Sequence, residues 1–434
     1  MKKQCLTGLA VAITALTVQP QRVYTLDEIF AIAETASPQL RPSLTAITEA
    51  EKNIEAARTS RLPEINTSLS VSYIGDGFTT RRGFDDYQRA PIPHLGNGFD
   101  ISVSQPVYTG GAISSSIEMA RLKTTAARYS AEIRRDDIRL RLTGDYLDLY
   151  KMNNLHCVVE SNINAARRVL KNMEARYDQG TALRNDITRY ELMVSDLELE
   201  LSRIATNMDI INNDLVKTAG LPQQTKIIPD TTMVGRTLAA DGNESWWLEE
   251  AETNSPSLAM SRTGIDISRR AESLVKSERL PQIGLQAGWN INGPILTEVP
   301  PINRNLSYWY VGIGIKYNLS SIYTTGKSLT KSRLATRRAE EEHRAALEEL
   351  ENAIHADHAR YRQAFSDIST REKAVELARS NYDVVETRYS EGMALITDLL
   401  DAANARLDAE QRLVNARIDI LYYYYKLLFT AGKI

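Results

Sequence analysis

His355 and His358 stand three residues apart, with Glu351 and Asp357 close by. On a helix that spacing sets two imidazoles on one face, an arrangement able to ligate a transition metal. The surrounding stretch, Glu340 to Arg362, is dense in charge of both signs. A bland, solvated helix face therefore explains the same residues without any ligand, and is the expected reading. No nucleophile elbow, glycine-rich phosphate loop or zinc-protease motif occurs. Cys5 and Cys157 are the only cysteines, which excludes a disulfide framework and a cysteine-rich zinc or iron–sulfur centre. The expectation is a non-enzyme with no metal and no cofactor.

The elements that would position any other site must then be read from pattern. The chain has 434 residues, 43% hydrophobic and 25% charged, so it is neither disordered nor a polytopic helical membrane protein. Lys plus Arg is 52 against 55 for Asp plus Glu, a formal net charge of -3. That balance excludes nucleic-acid binding by phosphate neutralisation. Only 22 Gly and 14 Pro serve the whole length, which points to a few long elements, mostly helix.

Lys2 and Lys3 precede an uncharged run from Leu6 to Val18. That run is too short to span a bilayer as a helix and suits the apolar region of a secretory signal, residues 1–22, with an indistinct cleavage site. A buried N-terminal helix is the alternative. Cys5 precedes the apolar run, so it is not a lipoprotein cysteine. No later window reaches the length of a transmembrane helix, so any membrane span must be built of strands.

The chain repeats itself. Ser37-Pro38 recurs as Ser255-Pro256, and Arg61-Leu62-Pro63 as Arg279-Leu280-Pro281, both at an offset of 218. Tyr108-Thr109-Gly110-Gly111 recurs as Tyr323-Thr324-Thr325-Gly326 at 215, and Tyr177-Asp178-Gln179-Gly180 as Tyr389-Ser390-Glu391-Gly392 at 212. Marks in constant order with a slowly shrinking offset indicate a duplicated unit, 23–220 and 244–434, joined by a linker at 221–243.

In the first half Thr25 with Glu28 opens a helix as a capping box, and a second helix follows. The period then switches to two. Ile65, Leu69, Val71 and Tyr73 alternate with Asn66, Ser68, Ser70 and Ser72; Trp309, Val311, Ile313 and Ile315 alternate with Gly312, Gly314 and Lys316. Strands are expected at about 64–74, 99–108, 282–292 and 308–319. An outer-membrane barrel with a wet lumen has this pattern, and so does a soluble sheet packed on one face. Four strands cannot close a water-filled barrel, so a barrel would need several chains.

Helical hairpins are expected at about 112–219 and 326–431. Ile187, Tyr190, Val194, Leu197, Leu201, Ile204, Met208, Ile211 and Leu215 fall at spacings of three and four, the seam of a coiled coil. In the second half the same stripe is broken only by Arg406. Gly180 and Gly392 are placed to close the two hairpins.

These duplicated halves, and above all the stretch from Arg388 to Ala402 with its Asp398-Leu399-Leu400-Asp401, resemble the TolC family of outer-membrane efflux proteins. The resemblance covers nearly the whole mature chain. It implies a mostly α fold with a small β part. Three copies then form a homotrimer with a twelve-stranded barrel among outer-membrane lipid of a Gram-negative bacterium and a helical tunnel in the periplasm. It further implies a passive exit duct of a tripartite efflux or type I secretion system. The partners would be a periplasmic adaptor (membrane fusion) protein and an inner-membrane RND or ABC transporter. A coiled-coil envelope scaffold or adhesin without a pore remains the alternative.

The resemblance also assigns residues. The hairpin tips, Tyr177 with Gly180 and Tyr389 with Gly392, would meet the adaptor. Asp398 and Asp401 match two acidic positions that threefold symmetry turns into lumen rings; both also read as first-turn acids complementing a helix dipole. The family's gate joins a tyrosine at the second tip, and an arginine five residues later, to neighbouring helices. Tyr389 keeps that tyrosine and Asp186 matches the acidic partner, but Ala394 occupies the arginine position. Arg388 and Arg184 lie near enough in sequence to substitute. The expected lock is Tyr389 with tip packing, plus at most a makeshift arginine–Asp186 pair.

Overall fold

The computed structural model describes residues 22–230, 243–298 and 300–434. Residues 1–21 of the expected signal peptide and 231–242 of the expected linker lie outside them. β1 (Arg22–Tyr24) leads into α1 (Leu26–Ala36). Thr25 opens that helix: its hydroxyl accepts from the Glu28 N–H at 3.2 Å, and the Glu28 carboxylate accepts from the Thr25 N–H at 3.1 Å. α2 (Arg41–Thr59) stops ahead of Pro63, and period two takes over in β2 (Glu64–Tyr73). A short hairpin, β3 (Gly77–Thr79) with β4 (Gln88–Ala90), precedes β5 (Leu95–Tyr108). Then come α3 (Ala112–Asp178), α4 (Arg184–Ala219) and β6 (Ile227–Pro229). The sequence of elements repeats as α5 (Glu244–Asn254), α6 (Pro256–Ser277), β7 (Gln282–Gly293), β8 (Leu306–Lys316), α7 (Ser321–Ser390) and α8 (Ile396–Thr430). None of the described helices is long and apolar enough to cross a membrane.

The chain divides into two units. One comprises Pro42–Ile133 and Ser255–Leu350 and holds an antiparallel sheet in the order β2-β5-β7-β8. Its register carries the binary pattern across strands: Leu69 pairs with Phe99, Phe99 with Ile291, Ile101 with Trp289, and Trp289 with Trp309. The facing rows on the other side are mostly Ser, Gly, Asn and Gln, with Asp100 at mid-strand and Leu306, Tyr308 and Tyr310 contributed by β8. Val311, Ile313 and Ile315 are each at least 70% exposed on the apolar face, so nothing among the described residues covers them. Strands β2 and β8 both have a free edge. In the same unit α2 is tied to α3 by the Arg128–Glu51 ion pair at 2.8 Å, and α6 to α7 by Arg269–Glu340 at 2.9 Å.

The other unit comprises 22–41, Arg134–Asn254 and Glu351–Ile434. Its main core joins α3 (Val159, Ile163, Met173), α4 (Ile187, Tyr190, Val194), α7 (Tyr382) and α8 (Ile396, Leu399, Ala402). A second core seats α1, through Leu26, Ile29 and Phe30, on Leu142 and Tyr146 of α3 and Leu215 of α4. The Tyr146 hydroxyl donates to Tyr24 O at 2.8 Å and accepts from the Asp230 N–H at 2.7 Å, tying in the parallel pair β1–β6. Desolvation pushes that phenol up to about 12.

Several expected boundaries move. β6 lies inside the expected linker, held by pairing with β1 and by Asn212, whose amide oxygen accepts from the Ile227 N–H at 2.9 Å. β5 begins at Leu95, because pairing with β2 overrides the weak strand preference of Gly96 and Gly98. β8 ends at Lys316, and α7 starts at Ser321, where Asn318 O accepts from both the Ser321 N–H and hydroxyl. The expected second hairpin at 326 thus starts five residues early. Gly110 and Gly111 take φ of 64° and 88° and make a real turn. Thr325 stands where Gly110 does in the first half, and the helix runs straight through Gly326.

Candidate functional site

The two hairpin turns are built alike. The Gly180 N–H donates to Tyr177 O at 2.8 Å and the Thr181 N–H to Arg176 O at 2.9 Å. The Gly392 N–H donates to Tyr389 O at 3.0 Å and the Met393 N–H to Arg388 O at 2.8 Å. Both glycines are left-handed, with φ of 77° and 76°, the helix-ending pattern that glycine permits. The following Thr181-Ala182-Leu183 and Met393-Ala394-Leu395 leave Leu183 and Leu395 exposed just before α4 and α8. Sequence reasoning passed over these two leucines, though the recurrence of Gly-x-Ala-Leu in both tips was visible.

At the second tip the Asp398 carboxylate accepts from the Leu395 N–H at 3.0 Å, so it caps the first turn of α8. Asp401, one turn on, is exposed and makes no hydrogen bond or ion pair among the described residues. Both point away from the side of α8 that Ile396 and Leu399 bury.

The gate candidates are only partly brought together. Within the chain, neither Arg388 nor Arg184 pairs with Asp186; Arg184 reaches Glu191 at 3.9 Å. The arginine that meets Tyr389 is Arg176, which donates to the Tyr389 carbonyl at 3.0 Å and lies 5.6 Å from its ring centroid. Desolvation and then the Asp186 carboxylate raise the Tyr389 phenol above its usual value, against the lowering effect of Arg176.

Farther along the hairpins, Arg406 breaks the apolar stripe without losing its partners. Its guanidinium lies 3.8 Å from the Tyr382 ring centroid and donates to Asn162 Oδ1 at 2.6 Å. Asn162 donates to Glu410 at 3.2 Å, and Arg379 donates to the other Glu410 oxygen at 2.8 Å. Tyr190 hydrogen-bonds Tyr382, and burial foremost raises both phenols.

The histidines behave otherwise than a bland exposed face. His358 and Asp357 are buried while His355 is exposed. Glu244 of α5 lies between the imidazoles, 2.8 Å from His355 Nδ1 and 3.8 Å from His358 Nδ1. The hydrogen bond from His355 chiefly holds the Glu244 carboxyl below the usual value. Asp357 instead accepts from the Thr430 hydroxyl at 2.8 Å. Among the described residues no cluster of three or more His, Cys, Asp or Glu is arranged to hold a metal.

The profile of a family described as "Outer membrane efflux protein" matches residues 31–221 and 247–432. The chain is 22% identical over 421 residues to the outer membrane protein TolC of Vibrio cholerae, covering 94% of this chain and 91% of that one. It is 23% identical over 268 residues to the alkaline protease secretion protein AprF of Pseudomonas aeruginosa, covering 60% of this chain and 54% of that one. In fold it is similar to the outer membrane protein VceC of Vibrio cholerae, with a TM-score of 0.75, 16% identity, and coverage of 94% and 96%.

Proposed function

The chain belongs to the outer membrane efflux protein family, and from that premise we propose that it is an outer-membrane exit duct for an efflux or secretion system, working as a homotrimer. The single observation that carries this reading is the sheet. It is apolar and uncovered on one face, mostly polar on the other, and open at both edges. A free edge and a bare apolar face are both costly in water. Lipid satisfies the face, and strands from other copies satisfy the edges. Three copies supply twelve strands, beyond the minimum of about eight needed for a water-filled barrel. Strands of ten or more residues, tilted, are long enough for the bilayer core.

The helical hairpins then stand on the periplasmic side, with the exposed leucines of the two tips available to a periplasmic adaptor that couples the duct to an inner-membrane transporter. Asp398 and Asp401 would face the lumen near that entrance, and Tyr389 would hold it closed. The test is purification in detergent followed by cross-linking and planar-bilayer recording. Cross-linking should stop at trimer and the protein should conduct ions. A soluble, non-conducting protein would support the scaffold reading instead, and a conducting monomer would overturn the assembly.

A further inference from the structure

The four strands place only three charged side chains on the polar face of the sheet: Glu64, Asp100 and Lys316. Glu64 opens β2 and Lys316 closes β8, both at the helix end. Asp100 stands alone at mid-strand. Its cross-strand neighbours fix its level: Asp100 pairs with Ser68, the fifth of the ten residues of β2, and with Asn290 of β7, which pairs with Tyr308 of β8. One row of the sheet therefore reads Ser68, Asp100, Asn290, Tyr308. The Ser68 hydroxyl donates to the Asp100 carboxylate, which holds the side chain on its own face. The neighbouring rows add no compensating cation; they contain Ser70, Gly98, Asn292 and Leu306 on one side and Asn66, Ser102, Gly288 and Tyr310 on the other.

We propose that Asp100 sets the charge selectivity of the barrel, as a ring of three carboxylates around a lumen whose other side chains at that depth are neutral. This rests on the trimeric duct proposed above. In the soluble-sheet alternative the same row would simply face water. In a closed barrel the carboxylate has no counter-charge at its depth, and its field acts on whatever permeates. Cations gain and anions lose in partition at that level, so anionic cargo crosses against the ring and cationic cargo with it.

Three unit charges about 10 Å from the axis of a wet pore, screened by about 0.1 M salt, bias the cation-to-anion permeability ratio by about fourfold. Reversal potentials of the purified wild-type protein in a planar bilayer under a salt gradient measure that ratio. Asp100→Asn should reduce it by about fourfold, Asp100→Glu should preserve it, and Asp100→Lys should carry it toward anions. Asn290→Lys, which adds an ammonium to the same row, should lower it as well and serves if the Asp100 variants do not insert. An unchanged ratio in Asp100→Asn or, failing insertion, in Asn290→Lys overturns the inference while leaving the duct standing. A wild-type protein that inserts but passes no current overturns the duct reading and the inference with it.

Discussion

Arg176 holds Tyr389 in two ways, donating a hydrogen bond to its carbonyl at 3.0 Å and placing a guanidinium 5.6 Å from its ring centroid. The contact joins the end of α3 to the end of α7, so the two hairpin tips of one chain are fastened by a residue outside the four gate candidates. Arg176 is the repeat counterpart of Arg388 at the offset of 212. Each contact contributes about 1 kcal/mol. Such a bias shifts a nearly balanced gate by about fivefold. Arg176→Ala, which removes both contacts, should raise resting single-channel conductance or open probability by at least that order. Tyr389→Phe keeps both contacts and removes only the hydroxyl of the proposed lock, and should still raise conductance more than Asp186→Asn does. If Asp186→Asn opens the channel and Tyr389→Phe does not, an ion pair between chains is the true lock.

The two tip glycines allow docking and folding to be separated. Nothing lies within 4 Å of a Cβ built at Gly180 or Gly392. Leucine there meets only the left-handed backbone penalty of about 1–2 kcal/mol per site. That is too little to prevent assembly. Gly180→Leu with Gly392→Leu should leave outer-membrane insertion near wild-type levels while abolishing efflux in cells, because two branched side chains then stand on the adaptor-facing surface. Loss of insertion would mean that the turns matter only for folding.

Asp398 and Asp401 also divide into two experiments. Asp398 caps α8 through the Leu395 N–H, so Asp398→Ala costs about 1 kcal/mol of helix stability besides any effect on permeation. Asp401 has no such duty among the described residues. Asp401→Ala alone should lower cation selectivity and weaken block by trivalent cations at unchanged thermal stability, and the double variant should do so further. Selectivity that survives both substitutions would leave them as acids of the helix dipole.

What could be read in the sequence follows the range of the forces involved. The stripe from Ile187 to Leu215 was legible because helical packing needs apolar groups at spacings of three and four, and Ile187, Tyr190 and Leu215 are indeed fully buried. The alternation from Ile65 to Tyr73 was legible for the same local reason. β6 was not, since its three residues are held by partners more than two hundred positions away in β1. His358 read as exposed because its own helix is charge-rich; Glu244, from α5, covers it and lies 3.8 Å from its Nδ1. Arg176 was not legible as the partner of Tyr389, because it stands on α3 and reaches Tyr389 only through the packing of the two hairpins, although Arg176-Tyr177 and Arg388-Tyr389 are repeat mates.

Arg406 shows the same limit and yields the last prediction. The sequence marked it as the one break in an apolar seam, but its partners come from two other helices. Asn162 of α3 accepts from it, the Tyr382 ring of α7 lies under it, and Glu410, one turn on in α8, takes the amide of Asn162. Its buried Nε makes no hydrogen bond, so the charge is incompletely satisfied. Polar groups of this kind in a coiled-coil core fix register at some cost in stability. Arg406→Ala should therefore lower the stability of the detergent-solubilised protein by about 2–3 kcal/mol, because it removes stem packing and leaves Asn162 unmatched. Arg406→Met, which refills the seam, should stay within about 1 kcal/mol of wild type. If its role is register, Arg406→Met should still broaden the distribution of conductance states, since the helices lose the contact that distinguishes one alignment from the next. Thermal unfolding and single-channel recording on the same preparations decide the matter. Equal destabilisation by Ala and Met would show the network to be net stabilising, and wild-type conductance in both would remove register from its role.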